Sequence, residues 1–305
     1  MRADEPGPPP DACEPPDLLD LAVQAAREAG AMLREKLGTP RDIGFKKGPS
    51  DLVTDGDKAS EALIATRIRS QYPNHRILAE EGTTGAESSP YRWIIDPVDG
   101  TTNFAHGVPA FAVSIAVERE GVLLAGVVYN PASEEMYTAA VGHGAMLNGK
   151  PIAVSKIEEP QAALAGCGVL PHRYRGRWVH AAKAFVRLTQ GCRTTGAAAL
   201  DLAYVACGRF DLFCGRRLAA WDVAAATLIV EEAGGIVTDF DGHPHSFERH
   251  DTLASNRALH QFGLHVARGE VVGRPSITAS LRRFRTRIAR KVAGDSPAPP
   301  KAIPR

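Results

Sequence analysis

The stretch WIIDPVDGTTNF, residues 93–104, decides how the rest of the chain is read. Trp93, Ile94 and Ile95 make a short apolar run, the pattern of a strand buried on both faces. Asp96 and Asp99 follow at once, split by Pro97, and Gly100, Thr101 and Thr102 come directly after. Two carboxylates at the end of a buried strand repel each other and lose hydration. Something positive belongs beside them, and the rest of the chain has to say what.

Three further places set carboxylates at the ends of apolar elements. Asp57, in SDLVTDGD, opens a helix expected over about 58–71. Glu80 and Glu81, in ILAEEG, end a short strand, and Asp222 opens the helix expected in WDVAAATLIVEEAGG. Taken singly, Asp57 and Asp222 fit helix caps, and the two glutamates fit a solvated turn. Taken together they form an oxygen-only ligand set, which suits a hard cation such as Mg²⁺. If a helix begins at Gly100-Thr101-Thr102, its first N–H groups are free to hold an anion. Carboxylates for a metal beside amides for a phosphate imply metal-assisted phosphoester hydrolysis. That chemistry needs no covalent phosphoenzyme, so the lack of an activated Ser or Cys motif is no objection.

The remainder of the chain is compatible with such an enzyme. Its 305 residues are 44% hydrophobic and 23% charged, enough for one large domain or two lobes. A formal net charge of +1 gives no reason to infer a polyanionic partner for the whole molecule. Cys13, Cys167, Cys192, Cys207 and Cys214 are scattered, without a C-x-x-C pair, which favours a reducing, cytoplasmic setting. The Pro-rich, acidic start lacks the apolar core of a secretory signal, and no apolar run reaches membrane-spanning length. Residues 1–16 are expected to be disordered. A helix is expected in 16–38, and AFAVSIAVERE, VLLAGVVYN and EEMYTAAVG read as an antiparallel meander. Helices follow in 180–191 and 197–208, with a strand in RFDLFC between them and the 222 helix. A meander with segregated helices argues for mixed α/β layers. The expected division is an N-terminal lobe over 17–155 and a C-terminal lobe over 156–266 that completes the site. A basic, Pro-rich tail follows over 267–305. From Arg268 onward ten Lys or Arg stand against two acidic residues, either a solvated tail or a contact for nucleic acid or an anionic surface.

WIIDPVDGTTNF, ILAEEG, SDLVTDGD and WDVAAATLIVEEAGG together resemble the inositol monophosphatase family of Mg²⁺-dependent, lithium-sensitive phosphatases. The segments occur in family order, and the resemblance covers about residues 17–265. It implies an α-β-α-β-α sandwich, two to three Mg²⁺ ions, a small phosphorylated metabolite as substrate and a homodimer. At matched positions it implies that Glu80, Asp96 and the Val98 carbonyl hold one ion. Asp96, Asp99 and Asp222 would hold a second, and Glu80 would reach a third. Gly100 and Thr101 amides would bind phosphate, and the Thr101 hydroxyl, oriented by Asp57, would position and deprotonate the attacking water. Lys46 falls where the family often has a mobile-loop lysine near the metals.

The leaving-group side departs from the family. Where inositol-hydrolysing relatives carry a glutamate six residues before the Trp-Asp pair, this chain has Gly215, followed by Arg216 and Arg217. The common Gly-Ser/Thr-Ala-Ala becomes Gly196-Ala197-Ala198-Ala199, which places Ala197 against the substrate. Two guanidiniums would suit a second phosphate, bound bidentately, or they face solvent. Inositol 1-phosphate is the first expected substrate, with fructose 1,6-bisphosphate and histidinol phosphate as alternatives. Nucleotide 3′-phosphatase ranks lowest, because such relatives usually carry lysine at the position of Thr102. A catalytically weak regulatory or nucleic-acid-binding protein is the reading from another class. His243 and His245 in DGHPHSF read as a turn, and Trp221 as core packing.

Overall fold

The computed structural model describes residues 13–38, 43–45, 52–84, 88–168, 175–247 and 250–270. In chain order the elements begin with α1 (Pro15–Lys36), β1 (Ile43–Phe45), β2 (Leu52–Thr54), α2 (Asp55–Gln71), β3 (Arg76–Ala79) and β4 (Thr83–Thr84). Next come β5 (Tyr91–Asp99), α3 (Thr101–Ala105), β6 (Ala112–Arg119), β7 (Val122–Asn130), β8 (Glu135–Ala140), β9 (Ala145–Leu147) and β10 (Lys150–Pro151). The remainder is β11 (Leu164–Cys167), α4 (Arg175–Leu188), β12 (Gly191–Arg193), α5 (Ala198–Ala206), β13 (Leu212–Arg216), α6 (Ala220–Glu232), β14 (Ile236–Thr238), β15 (Asp251–Ser255) and α7 (His260–Ala267).

The expected meander is β6 to β8; the structure extends it with β9 and β10 on one side and with β5, β3 and β4 on the other, giving an eight-stranded sheet in the order β10-β9-β8-β7-β6-β5-β3-β4. A five-stranded sheet, β12-β11-β13-β15-β14, is built wholly from residues beyond 163. The layers run α1 and α2, large sheet, α5 and α6, small sheet, α4 and α7. Three apolar clusters fill the spaces between them. Trp93, Ile95, Val113, Ile115 and Val127 face α1 and α2, while Ile94, Ala116 and Val128 face α5 and α6. The alternation is the period-two pleat of the central strands, and it explains why β5 reads as a continuous apolar run. The third cluster joins Cys167, Leu212, Cys214 and Leu253 to Phe185 and Leu264.

Several boundaries differ from the sequence expectation. α1 starts at Pro15 rather than at residue 16, because a proline at the first helical positions loses only an N–H that has no partner there. α4 spans Arg175–Leu188 rather than 180–191. α2 starts at Asp55 because Thr54 caps it: its hydroxyl accepts from the Gly56 N–H, and its own N–H donates to Asp57 Oδ2 at 2.8 Å. At the other end, Arg268 Nε donates to the Phe240 carbonyl at 2.7 Å, so the folded body runs past the expected tail boundary at 267.

The middle layer can sit close to the large sheet because Gly126 in β7 has no side chain. A Cβ there would lie 2.7 Å from the Ala225 carbonyl oxygen of α6. Gly126→Ala should therefore push α6 off the sheet and cost about 1–3 kcal/mol of stability. Urea unfolding checks it, and an unchanged midpoint would mean the layers are not packed this tightly.

Candidate active site

Pro97 sits inside β5, where it removes a ladder donor, and the pairing with β6 is irregular there. Asp96 pairs with Ser114 and Asp99 with Ala112, so three steps along β5 match two along β6. This is a β-bulge. In a regular strand, residues three apart point to opposite faces. The extra residue turns Asp99 back to the face of Asp96, toward α5 and α6, while Val98 packs on the α1–α2 side. The D-P-x-D spacing is thus a device for placing two carboxylates together.

Neighbouring elements bring the others. β3 lies parallel to β5, with Ala79 beside Ile95 and the Glu80 N–H donating to the Ile95 carbonyl at 3.2 Å, so Glu80 emerges next to Asp96. Ser114, the register partner of Asp96, donates to the Trp221 carbonyl at 3.3 Å, which fixes the first turn of α6 and with it Asp222. Ser60 of α2 donates to the Pro97 carbonyl at 2.9 Å and ties the start of α2, with Asp57, to the bulge.

Four of the carboxylates also meet backbone donors. Asp99 accepts from the Ala198 N–H (3.0 Å) and the Ala199 N–H (2.7 Å) at the start of α5. Asp222 Oδ2 accepts from the Ala219 N–H at 2.7 Å, and Asp96 Oδ1 from the Val98 N–H at 3.0 Å. Asp57 does two jobs with two oxygens. Oδ2 serves the α2 capping box, and Oδ1 accepts from the Thr101 hydroxyl at 2.9 Å. That hydroxyl also lies 3.1 Å from the Val98 carbonyl. Gly100, at φ 88°, caps α3, whose first amides have no carbonyl ahead of them.

The charge balance is unfavourable as it stands. Asp96 and Asp99 are 3% and 6% exposed. Burial first, and then the charges of Glu80, Asp99 and Asp222, hold the Asp96 carboxyl well above the usual range. Burial and Asp222 do the same to Asp99, against the opposing amides of Ala199 and Ala198. Asp57, Glu80 and Glu81 also form a group whose oxygens lie within 4.8 Å of one another, near enough to share a metal ion.

The leaving-group candidates are not gathered in the same way. Gly215 is buried in β13, and a Cβ there would lie 2.5 Å from Leu218 Cδ1, so Leu218 fills the space of a side chain. Arg216 points to the other face of the strand, where it pairs with Asp251 at 3.1 Å and lies 5.1 Å over the Phe240 ring. It is not placed among the carboxylates. Arg217, at φ 56°, lines a cleft with Arg216, Ala219, His250 and Asp251 near the start of α6. Ala197 is buried just before α5, with a gap of 3.2 Å between its Cβ and a Cβ placed on Gly100. Lys46 lies outside the described residues.

Asp201 was not expected from the sequence. It sits 1% exposed in α5, pushed up to about 7 by burial against hydrogen bonds from Thr195. An aspartate inside the apolar run AAALDLAYVA was the available signal. Glu81 was visible only as half of a pair. Asp239, Asp241 and His243 form a second possible metal-holding group, yet Asp239 Oδ1 accepts from the Asp241 and His243 N–H groups, both at 2.9 Å, as in a turn. His245 turns away to Thr252.

Layers and carboxylates of this kind define a phosphoric monoester hydrolase, and comparison with known proteins agrees. The chain belongs to the inositol monophosphatase family, which it matches over residues 15–271. It is 42% identical to an inositol-1-monophosphatase of Mesorhizobium japonicum over 79% of this chain and 92% of that protein. It is also 42% identical to the Nus factor SuhB of Pseudomonas aeruginosa, over 78% and 91% of the two. The extragenic suppressor protein suhB of Bartonella henselae superposes with a TM-score of 0.80 at 37% identity, covering 82% of this chain and 98% of that one. No helix among the described residues is long and apolar enough to cross a membrane.

The raised carboxyls predict a specific trade. Metal-free folded protein binds more protons than unfolded chain between the unfolded carboxyl range, about 4, and the raised folded values, so its stability falls as pH rises through that window. Asp96→Asn removes one charge and should raise the metal-free melting temperature at pH 8 by at least about 3 °C. The gain should shrink as the pH is lowered toward about 4. Thermal unfolding in EDTA measures this; a destabilised Asp96→Asn at pH 8 would mean the cluster is already compensated.

Proposed function

We propose that this chain is a Mg²⁺-dependent phosphomonoesterase for a small polyol or sugar phosphate, with inositol 1-phosphate the first candidate. The observation that carries the reading is the meeting of buried Asp96 and Asp99 with half-buried Asp222 and Glu80, whose charges help raise the Asp96 and Asp99 carboxyls. All donors are carboxylate or carbonyl oxygens, the set that suits a hard divalent ion, so the residues fit the cofactor. Glu80, Asp96 and the Val98 carbonyl would hold one ion. Asp96, Asp99 and Asp222 would hold another, and Glu80 would contribute to a third. Bound there, Mg²⁺ would lower the pKa of water and offset charge on the phosphoryl oxygens.

The protein's own groups do the rest. Gly100 and Thr101 amides orient the phosphate at the start of α3. The Thr101 hydroxyl donates to Asp57 Oδ1, which leaves its lone pairs free to accept from a water beside the phosphate. Thr101 and Asp57 thereby orient that water and take up its proton. Asp57 is locked for this by its other oxygen, which holds the start of α2.

The leaving-group side supports a less exacting pocket than an inositol-specific one. Leu218 stands in the Gly215 space, and Arg216 and Arg217 line one cleft beside Asp251, where a second anionic group would meet both guanidiniums. Fructose 1,6-bisphosphate and histidinol phosphate therefore stay as alternatives. Lithium sensitivity, a homodimer, a cytoplasmic setting and the two-lobe division near residue 155 belong to the same proposal.

Purified protein should release phosphate from at least one of inositol 1-phosphate, fructose 1,6-bisphosphate and histidinol phosphate with Mg²⁺. It should release none in EDTA and less with added Li⁺. Metal-independent release would sink the reading. A regulatory role is the second reading, favoured by the Nus factor relative and by the basic sequence from 271 onward, which lies outside the described residues. Truncation after Glu270 keeps the Arg268–Phe240 anchor and should leave phosphate release intact while abolishing retention on heparin. Loss of activity on truncation would place the tail in the catalytic body instead.

A further inference from the structure

Asn103 lies in the opening stretch yet has none of the roles given above. Its Nδ2 donates to the Ala110 carbonyl at 2.6 Å and to the Thr195 carbonyl at 2.7 Å. Only the NH₂ end of the amide can satisfy two carbonyls, so its orientation is fixed by chemistry. One proton goes to the entry of β6 and the other to the turn before α5.

That turn is shaped around the amide. Gly196 has φ 89°, and a Cβ there would lie 2.9 Å from Asn103 Nδ2. Gly100 is equally confined, since its Cβ would lie 3.1 Å from the Ala110 oxygen and 3.2 Å from Ala197 Cβ. From behind, buried Asp201 accepts hydrogen bonds from Thr195. Two residues beyond Gly196 begin the amides of Ala198 and Ala199 that hold Asp99. Three segments therefore meet at one side chain: α3 with its phosphate turn, the start of β6, and the approach to α5.

We propose that Asn103 is a positioning residue that locks the phosphate turn to the Asp99-binding start of α5. It keeps the anion-holding amides and the metal-holding carboxylates in one relative placement. The inference rests on the phosphate-turn reading given under the proposed function. A phosphate that shifts against fixed carboxylates loses its alignment for in-line attack while still binding, so turnover suffers more than affinity.

The test compares Asn103→Ala with Asn103→Asp, which keeps the shape of the amide but has no proton to give either carbonyl, at a temperature where all three proteins are folded. Asn103→Ala should lower kcat by about tenfold to a hundredfold and leave KM nearly unchanged. Asn103→Asp should lose at least as much, because two carbonyls then face a carboxylate. Amide hydrogen exchange supplies a readout that needs no activity. Exchange at the start of α5 and in α3 should quicken in Asn103→Ala. Wild-type kcat in Asn103→Ala, wild-type kcat in Asn103→Asp, or unchanged exchange would each overturn the clamp. If wild-type protein hydrolyses no phosphoester, the phosphatase reading fails by itself, and exchange still decides the clamp.

Discussion

Asp96 and Asp99 repel each other across a β-bulge inside the protein, and most of the architecture around them serves to keep them there. The bulge alone would not hold. Amides at the start of α5 grip Asp99, the first turn of α6 presents Asp222, and α2 is tied to the bulge by Ser60 and to Thr101 by Asp57. Three helices thus start at the carboxylates. Their positive ends offset part of the negative charge, each by a fraction of a kcal/mol to about 1 kcal/mol. A bound cation would offset more of it.

This arrangement explains the layering as much as the chemistry. The middle layer has to bring the starts of α5 and α6 to the end of β5, so it must pack tightly against the large sheet. Gly126 and the alanine-rich sequence of α6 allow that approach. The parallel pairing of β3 with β5 is a second requirement, since it delivers Glu80 to Asp96 from a strand that ends at the same edge. Active sites in sheet proteins gather where strands end, and here the sheet edge and the helix starts coincide.

Much of this was legible in the sequence, and the limits have physical causes. The apolar run before Asp96, the meander, and the helix starts near Asp57 and Asp222 are local patterns, and local patterns survive in a one-dimensional reading. What the sequence did not reveal is which face a side chain takes once strand register enters. Arg216 read as a substrate contact, yet strand alternation turns it to Asp251 and Phe240. Gly215 read as an empty place, yet Leu218 closes it from three residues on. Asn103 was in the quoted motif, but its partners are separated from it by loops and layers. Asp201 was hidden in a helix whose neighbours are all apolar.

The central claim is that the repelling carboxylates around Asp96 and Asp99 take up a divalent ion. The most direct measurement is titration calorimetry of Mg²⁺ into the metal-free protein at a fixed mildly acidic pH, repeated in buffers of different ionisation enthalpy. Carboxyls held partly protonated by burial and repulsion must lose protons when the ion binds. The account predicts net proton release, seen as a binding enthalpy that varies systematically with the buffer, and its disappearance in Asp96→Asn. Mg²⁺ binding with no proton release, or no binding at all, would contradict it.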